Sequence, residues 1–311
     1  MRRYLSIDGG TTNTRLSLVT DGKIVDTVKY SVGARTGIDD KSALCCAIKG
    51  GIQKLLDKNS LSESDIEKIL ASGMITSDSG LVSLPHLSLP AGIKELKEAT
   101  CETVLPEISK IPFVFIRGVK TAGSSLDTQD LMRGEETELF GIAEDFGATY
   151  LLPGSHNKII RLNEDGKIIS FKTTLLGELV FSLASHTILK DSFSLDFEDF
   201  NSEYLKKGCD YAKKSGINEA LFKTRVLKNS LGASENESYS FFLGACLAGE
   251  LTALEKSGAQ KIIIGGKRQL KNALCVLLEE AGLSAKVISD EAVDASVVRG
   301  QIKIYEYGEK Q

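Results

Sequence analysis

Asp8-Gly9-Gly10-Thr11-Thr12-Asn13 ends the first apolar stretch of the chain, and Gly154-Ser155-His156-Asn157-Lys158 ends a later one. A glycine loop carrying a hydroxyl offers backbone N–H groups and an O–H to phosphate oxygens. Two such loops can clamp a polyphosphate. The two are related: displaced by 144 residues, segments 8–24 and 152–168 share seven identities in seventeen positions without a gap. Gly10 falls on Gly154, Thr11 on Ser155, Asn13 on Asn157, and Asp21-Gly22-Lys23-Ile24 on Asp165-Gly166-Lys167-Ile168. Asp-Gly turns are common, but the turn alone does not explain the matched residues ahead of it. The pattern reads as an internal repeat. Asp8 is then a residue facing phosphate rather than a turn cap. Neither G-x-x-x-x-G-K-[ST] nor G-x-G-x-x-G occurs, so these are not Walker or dinucleotide loops. A third glycine loop, Gly265-Gly266, follows the apolar run Lys261 to Ile264.

Other residues able to do chemistry are grouped around 117–136. Asp130, Arg133, Glu135 and Glu136 stand at the start of an expected helix. Acids are favoured there by the helix dipole. A carboxylate within reach of a hydroxyl would also serve as a general base. Arg117 follows an apolar strand and precedes Gly118. His86, His156 and His186 have no neighbouring partner at metal-ligand spacing. The six cysteines form no C-x-x-C, and reduced thiols are expected rather than a disulfide framework.

The elements that must position these groups are legible from periodicity. Strands are expected at Tyr4 to Ile7, Asn13 to Thr20 and Ile24 to Val32, the last two joined by the Asp21-Gly22 turn. Lys41 to Lys58 has helical spacing; Ile69 to Ser72 and Phe113 to Ile116 read as strands and Glu135 to Phe146 as a helix. The pattern restarts with strands at Thr149 to Leu152, Lys158 to Leu162 and Ile168 to Thr173. Helices follow at 176–190, 203–215, Tyr239 to Leu254 (behind a Ser234-x-x-Glu237 capping box) and Lys267 to Ala281, with a last strand at Ala285 to Ser289. Two similar α/β domains result, 1–145 and 146–311, with the path of the final helix left open.

With 311 residues, 42% hydrophobic and 26% charged, the chain has ordinary globular composition. A net charge of −4 without a basic tail argues against nucleic acid. No apolar run reaches the roughly 20 residues of a membrane span. A cytoplasmic protein with small-molecule partners is expected; a homodimer is left open.

Together Asp8-Gly-Gly-Thr-Thr-Asn13, its echo and Gly265-Gly266 resemble the actin, sugar-kinase and heat-shock ATPase superfamily. That resemblance implies two RNase-H-like domains with ATP and Mg²⁺ in the cleft between them. It implies phosphate loops at Gly9, Gly10, Thr11, Thr12, Asn13 and at Gly154 to Lys158, adenosine at Gly265-Gly266, and Asp8 beside the metal. Ser72-Gly-Met74-Ile-Thr-Ser77, Leu84-Pro-His-Leu-Ser-Leu-Pro-Ala91, Met132-Arg-Gly-Glu-Glu-Thr-Glu138, Leu152-Pro-Gly-Ser-His-Asn-Lys158 and Leu176-Gly-Glu-Leu179 with Ser185-His186 narrow it. From about residue 4 to 302 the chain resembles the 2-dehydro-3-deoxygalactonokinase family. The resemblance implies transfer of phosphate from ATP to 2-dehydro-3-deoxygalactonate, with the domain 1–145 holding the sugar acid and 146–311 the adenosine. It also implies a general base at Glu135 or Asp130, with Glu135 preferred. Its acceptor contacts would come from Arg15, Ser72, Met74, Arg117, Arg133 and Glu136. The family carries Trp where this chain has Gly9, and Gly-Met-Val-Gly-Ser where it has Gly73-Met-Ile-Thr-Ser77. Three alternatives remain beside this one: a kinase of another sugar or sugar acid, an actin-like or chaperone-type ATPase, and a regulator that binds a sugar acid without turnover.

Overall fold

The Asp21-Gly22 turn has φ of +48° and +76°. Positive φ at both central residues is the two-residue hairpin geometry that matches strand twist. It joins β2 (Thr14–Thr20) to β3 (Lys23–Tyr30), and β2 also pairs antiparallel with β1 (Arg3–Gly9). The computed structural model describes residues 1–195, 197, 199–266 and 268–309. The chain divides into two units, one of Met1–Phe146, Leu162–Ser170 and Glu291–Gln311, the other of Gly147–Arg161 and Phe171–Asp290.

The first unit continues with β4 (Lys68–Gly73), β5 (Leu87–Ser88), β6 (Cys101–Leu105), β7 (Ser109–Phe115), β8 (Val119–Lys120) and β9 (Leu131–Met132). Its main sheet has the order β3-β2-β1-β4-β7-β6, and β5-β8-β9 form a small second sheet. β1 is buried along Tyr4 to Ile7 because it lies centrally, with β4 parallel on its other side. One face carries Leu5, Ile7, Leu16, Ile69 and Phe113 against Leu44, Ile48 and Ile52 of the helix Lys41–Lys58. Asp40 caps that helix, accepting from Ser42 and Ala43 N–H. The other face carries Tyr4, Val19, Leu70 and Val114, covered by Val298, Ile302 and Tyr305. The helix Ser296–Tyr305 therefore belongs to the first unit, which settles the path the sequence left open.

The second unit contains β10 (Thr149–Leu152), β11 (Asn157–Leu162), β12 (Ile168–Thr174), β13 (Ile262–Ile264) and β14 (Ala285–Val287), in the order β12-β11-β10-β13-β14. β12 begins in the 162–170 segment of the first unit. β10 is antiparallel to β11 and parallel to β13, as β1 is to β2 and β4. The repeat in sequence is thus a repeat of strand order and direction. Its core packs Tyr239, Phe242, Leu243 and Leu247 of the helix Glu235–Ser257 against Leu151, Ile264 and Leu274. The Ser234–Glu237 capping box is formed.

Several elements differ from expectation, three helices among them. The helix from Glu135 ends at Ile142, where Ala143 turns extended at ψ 114°. The helix from Leu176 ends at His186, because Thr187 breaks away and its side chain caps a short turn at Ile188–Asp191. The helix Ile217–Ser230 was not expected; it buries only Ala220 and Thr224, so it has little apolar periodicity to read. Lys267, the expected start of another helix, lies outside the described residues, and that helix runs Arg268–Glu280. Among the described residues no helix is long and apolar enough to cross a membrane.

Candidate active site

In the first unit the site starts where β1 ends. Asp8 stands directly opposite Arg15 on β2 and beside Ser72 on β4. Cross-strand partners share a face, so the Asp8 carboxylate meets the Arg15 guanidinium at 3.0 Å. Both side chains keep about a third of their surface, 32% and 30%, so a ligand can reach them. The turn that follows is pinned by its backbone. Gly10 N–H donates to the Asn13 carbonyl at 2.8 Å, while the Gly10 and Thr11 carbonyls accept from Ala34 and Arg35. Thr11, Thr12 and Asn13 stay exposed, with the Asn13 amide on the Thr12 hydroxyl at 3.0 Å.

The strand ends approach very closely. Gly73 has φ +87°, and a Cβ there would lie 2.5 Å from the Gly9 carbonyl. A Cβ on Gly9 would lie 2.7 Å from the Ile75 Cβ. The position at which the resemblance places tryptophan therefore has no room for a side chain while Ile75 occupies that space.

The helix Glu135–Ile142 brings acids to this end of the sheet. Glu135 accepts the Arg133 N–H at 3.0 Å. Glu136 is fully buried and folds back onto the Gly134 N–H at 2.8 Å and the Thr137 hydroxyl at 3.0 Å. Burial, then the charge of Glu135, pushes its carboxyl up to about 7. Glu138 is pushed up to about 8 by burial first, then by Glu135 and Asp8, with Arg15 opposing. Residues 135 and 138 lie one turn apart on the same helix face. Glu138 is the residue that sequence reasoning missed, and its spacing from Glu135 was the available signal.

The raised Glu136 and Glu138 carboxyls hold protons more tightly folded than unfolded. Their contribution is full below the unfolded value of 4.5 and is lost as pH rises through about 7 to 8. Glu138→Gln should therefore match wild type at pH 5 and exceed it by about 1 to 2 kcal/mol at pH 8.5, a figure already discounted for the partial exposure of Glu138. Urea unfolding at the two pH values checks this; equal stability at pH 8.5 would contradict it.

The remaining first-unit candidates separate into structural and open groups. Arg133 donates to the Thr76 carbonyl and hydroxyl, both at 2.7 Å, and to the Leu84 carbonyl at 3.0 Å. Its guanidinium thus holds the 76–86 segment. Ser72 is buried and accepts from the Gln301 amide at 2.9 Å. Met74 is half-buried on the single turn Met74–Thr76. Asp130 sits beside the β8–β9 hairpin, its carboxylate accepting the Leu131 N–H at 2.7 Å. Arg117 keeps a buried Nε–H without a hydrogen-bond partner among the described residues.

In the second unit two segments converge on the echo loop. The Ser155 carbonyl accepts the Glu178 N–H at 3.1 Å, and His156 Nε2 lies 3.2 Å from the Glu178 carboxylate. The helix Leu176–His186 comes so near that a Cβ on Gly177 would lie 2.2 Å from the Gly154 carbonyl. Gly265 N–H donates to the Leu151 carbonyl at 3.0 Å. Gly266 has φ +75°, and a Cβ there would lie 2.3 Å from the Pro153 carbonyl. Gly266→Val should cost about 2 kcal/mol or more through combined strain and clash. A denaturation midpoint equal to wild type would contradict that packing.

The echo is not a copy in detail. Asn13 is exposed, but Asn157 is fully buried with its amide on the Glu250 carboxylate. Lys158 is buried too, its Nζ 3.0 Å from the Thr173 hydroxyl. Glu250 also accepts the Thr174 hydroxyl at 2.5 Å. Asn157 and Lys158 therefore brace the loop from inside, while Gly154, Ser155 and His156 face outward.

Residues 8–302 match the family model described as DGOK, 2-keto-3-deoxy-galactonokinase. The "Probable 2-dehydro-3-deoxygalactonokinase DgoK1" of Rhizobium meliloti (strain 1021) is 27% identical over 314 aligned residues, covering 94% of this chain and 95% of that protein. The 2-dehydro-3-deoxygalactonokinase of Escherichia coli (strain K12) is 26% identical over 249, covering 79% and 78%. The crystal structure of a "putative 2-dehydro-3-deoxygalactonokinase" from Sinorhizobium meliloti superposes with a TM-score of 0.79 at 22% identity, covering 99% and 100%. That likeness establishes the fold, the RNase-H-like α/β architecture of actin-like ATPases and sugar kinases. The chain belongs to the 2-keto-3-deoxy-galactonokinase family.

Proposed function

We propose that the protein transfers the γ-phosphoryl group of ATP to the C6 hydroxyl of 2-dehydro-3-deoxygalactonate, giving the 6-phosphate and ADP. The observation that carries this reading is the family match across residues 8–302. The reaction consumes ATP and a soluble sugar acid, which fits a cytoplasmic protein.

The residues take the following roles. The Gly9-Gly10 turn, its Gly10 N–H held by the Asn13 carbonyl, presents the exposed hydroxyls and N–H groups of Thr11 to Asn13 to the terminal phosphate, and Gly154, Ser155 and His156 serve the nucleotide's other phosphates. Gly265-Gly266 borders the adenosine, so the nucleotide belongs to the second unit and the acceptor to the first. Magnesium enters with ATP as part of the substrate. Among the described residues no group of three or more His, Cys, Asp or Glu is arranged to hold a metal. That suits an ion held mostly by phosphate oxygens and water plus one carboxylate, and Asp8 is the carboxylate in place. Arg15 fixes its orientation.

Glu135 takes the proton of the acceptor hydroxyl as its oxygen bonds to the γ-phosphorus and the bond to the ADP oxygen breaks. Glu135 is preferred to Asp130 because it acts on Glu138 together with Asp8. Arg117 meets the carboxylate of the sugar acid.

ADP release should be measured with the acid, its gluconate epimer, galactonate and several hexoses. Fast release with the acid and little with hexoses is expected. Equal release with and without every acceptor would overturn the reading in favour of an ATPase.

A further inference from the structure

We propose that Glu250 is the positioning residue of the phosphate site in the second unit. Its carboxylate ties the loop 154–157 to the segment 174–178 and so holds the two in the spacing that binds the nucleotide's phosphates. This rests on the phosphate role given above to Gly154, Ser155 and His156, and it adds a residue with no role so far.

Glu250 is 4% exposed, on the helix Glu235–Ser257, where Leu247, Ala248, Leu251 and Leu254 are buried with it. A carboxylate among apolar side chains is costly unless hydrogen bonds compensate it. Burial pushes this carboxyl up, and the two side-chain bonds it accepts oppose that. Those bonds come from two different segments. The Asn157 amide donates to one oxygen, and the Thr174 hydroxyl donates to the other at 2.5 Å.

Both segments lead to the echo loop. Asn157 directly follows His156, and Thr174 closes β12 two residues before the helix Leu176–His186 begins. That helix in turn meets the loop: the Glu178 N–H donates to the Ser155 carbonyl, and Gly177 passes close against the Gly154 carbonyl. One buried carboxylate thus anchors both sides of the loop. Asn157 Oδ1 is buried and has no hydrogen-bond partner among the described residues, so the bond to Glu250 is what orients that amide. A carboxylate can only accept, which turns Nδ2 toward it.

The hairpin does not need this brace in order to form. In the first unit Asn13 stands at the matching place, exposed, with its amide on the neighbouring Thr12 hydroxyl. β1 and β2 pair antiparallel there just as β10 and β11 do. What Glu250 adds is therefore the placement of the loop against 174–178, not the strand pairing.

The test is calorimetric titration of the full chain with ADP, with adenosine and with 2-dehydro-3-deoxygalactonate. Glu250→Met keeps the length of the side chain but leaves the Asn157 amide and the Thr174 hydroxyl unpaired. ADP should bind about 10-fold to 100-fold more weakly, the loss expected when buried donors are freed and the loop moves to satisfy them. Thr174→Val, which removes one of the two bonds, should lose less. Glu250→Gln can accept from Asn157 with its oxygen and donate to Thr174 with its amide, so it should recover most of the affinity. Adenosine, which carries no phosphate, and the sugar acid should bind as they do to wild type. Unchanged ADP affinity in Glu250→Met would overturn the proposal; if that variant does not fold, unchanged affinity in Thr174→Val overturns it instead. An equal loss for ADP and adenosine would overturn it too, because the whole unit rather than the phosphate loop would then be deformed. So would Glu250→Gln as weak as Glu250→Met. Turnover is read in parallel. A wild type that binds ADP with this dependence but transfers no phosphate overturns the kinase reading alone. A wild type that binds no ADP overturns the proposal.

Discussion

Asp8→Asn should lower kcat by about 10³-fold while the protein stays folded. The side chain keeps its size and its place opposite Arg15 but loses the charge that would stand beside the metal and terminal phosphate. Electrostatic groups aimed at a developing charge typically contribute about 10² to 10³ in kcat each. The structural cost is small, because the Asp8–Arg15 pair is about a third exposed on both sides and such pairs contribute at most about 1 kcal/mol. The KM for the sugar acid should stay near wild type, since Asp8 acts on the transferring group. Steady-state kinetics with a thermal melt checks all three. A kcat within tenfold of wild type in a folded Asp8→Asn would remove Asp8 from the chemistry.

The second large effect separates two carboxylates. Glu135→Gln should lose about 10² to 10⁴ in kcat, the range for a general base, and Asp130→Asn should lose little. Glu135 lies in the first turn of the helix that carries Glu138 toward Asp8, whereas the Asp130 carboxylate caps its own neighbour's N–H beside a short hairpin. The opposite ranking, with Asp130→Asn the slower enzyme, would move the base to the hairpin. Equal small losses would leave Glu138 as the carboxylate to test next.

Much of the scaffold is legible in the sequence for local reasons. The Asp21-Gly22 turn, the Ser234–Glu237 capping box and the helix Lys41–Lys58 depend on neighbours close in the chain. So does the repeat, whose turn residues recur at fixed spacing and whose strands recur in the same order. What was not legible depends on partners far away in sequence. Asn157 matches Asn13 by position, yet it is turned inward by Glu250, ninety-three residues later. Arg133 is a cation free in sequence, but the Thr76 and Leu84 carbonyls consume its donors. Ser72 is reached by Gln301 from the far end of the chain. Glu138 looks like one more acid of a helix start until the fold sets Asp8 in front of it.

The most direct test of the central claim is phosphorus NMR of a mixture of the protein, ATP, Mg²⁺ and 2-dehydro-3-deoxygalactonate. A phosphomonoester signal coupled to the C6 protons of the sugar acid should grow in step with ADP. ADP growing together with inorganic phosphate alone would contradict phosphoryl transfer to the sugar acid and leave an ATPase on this fold.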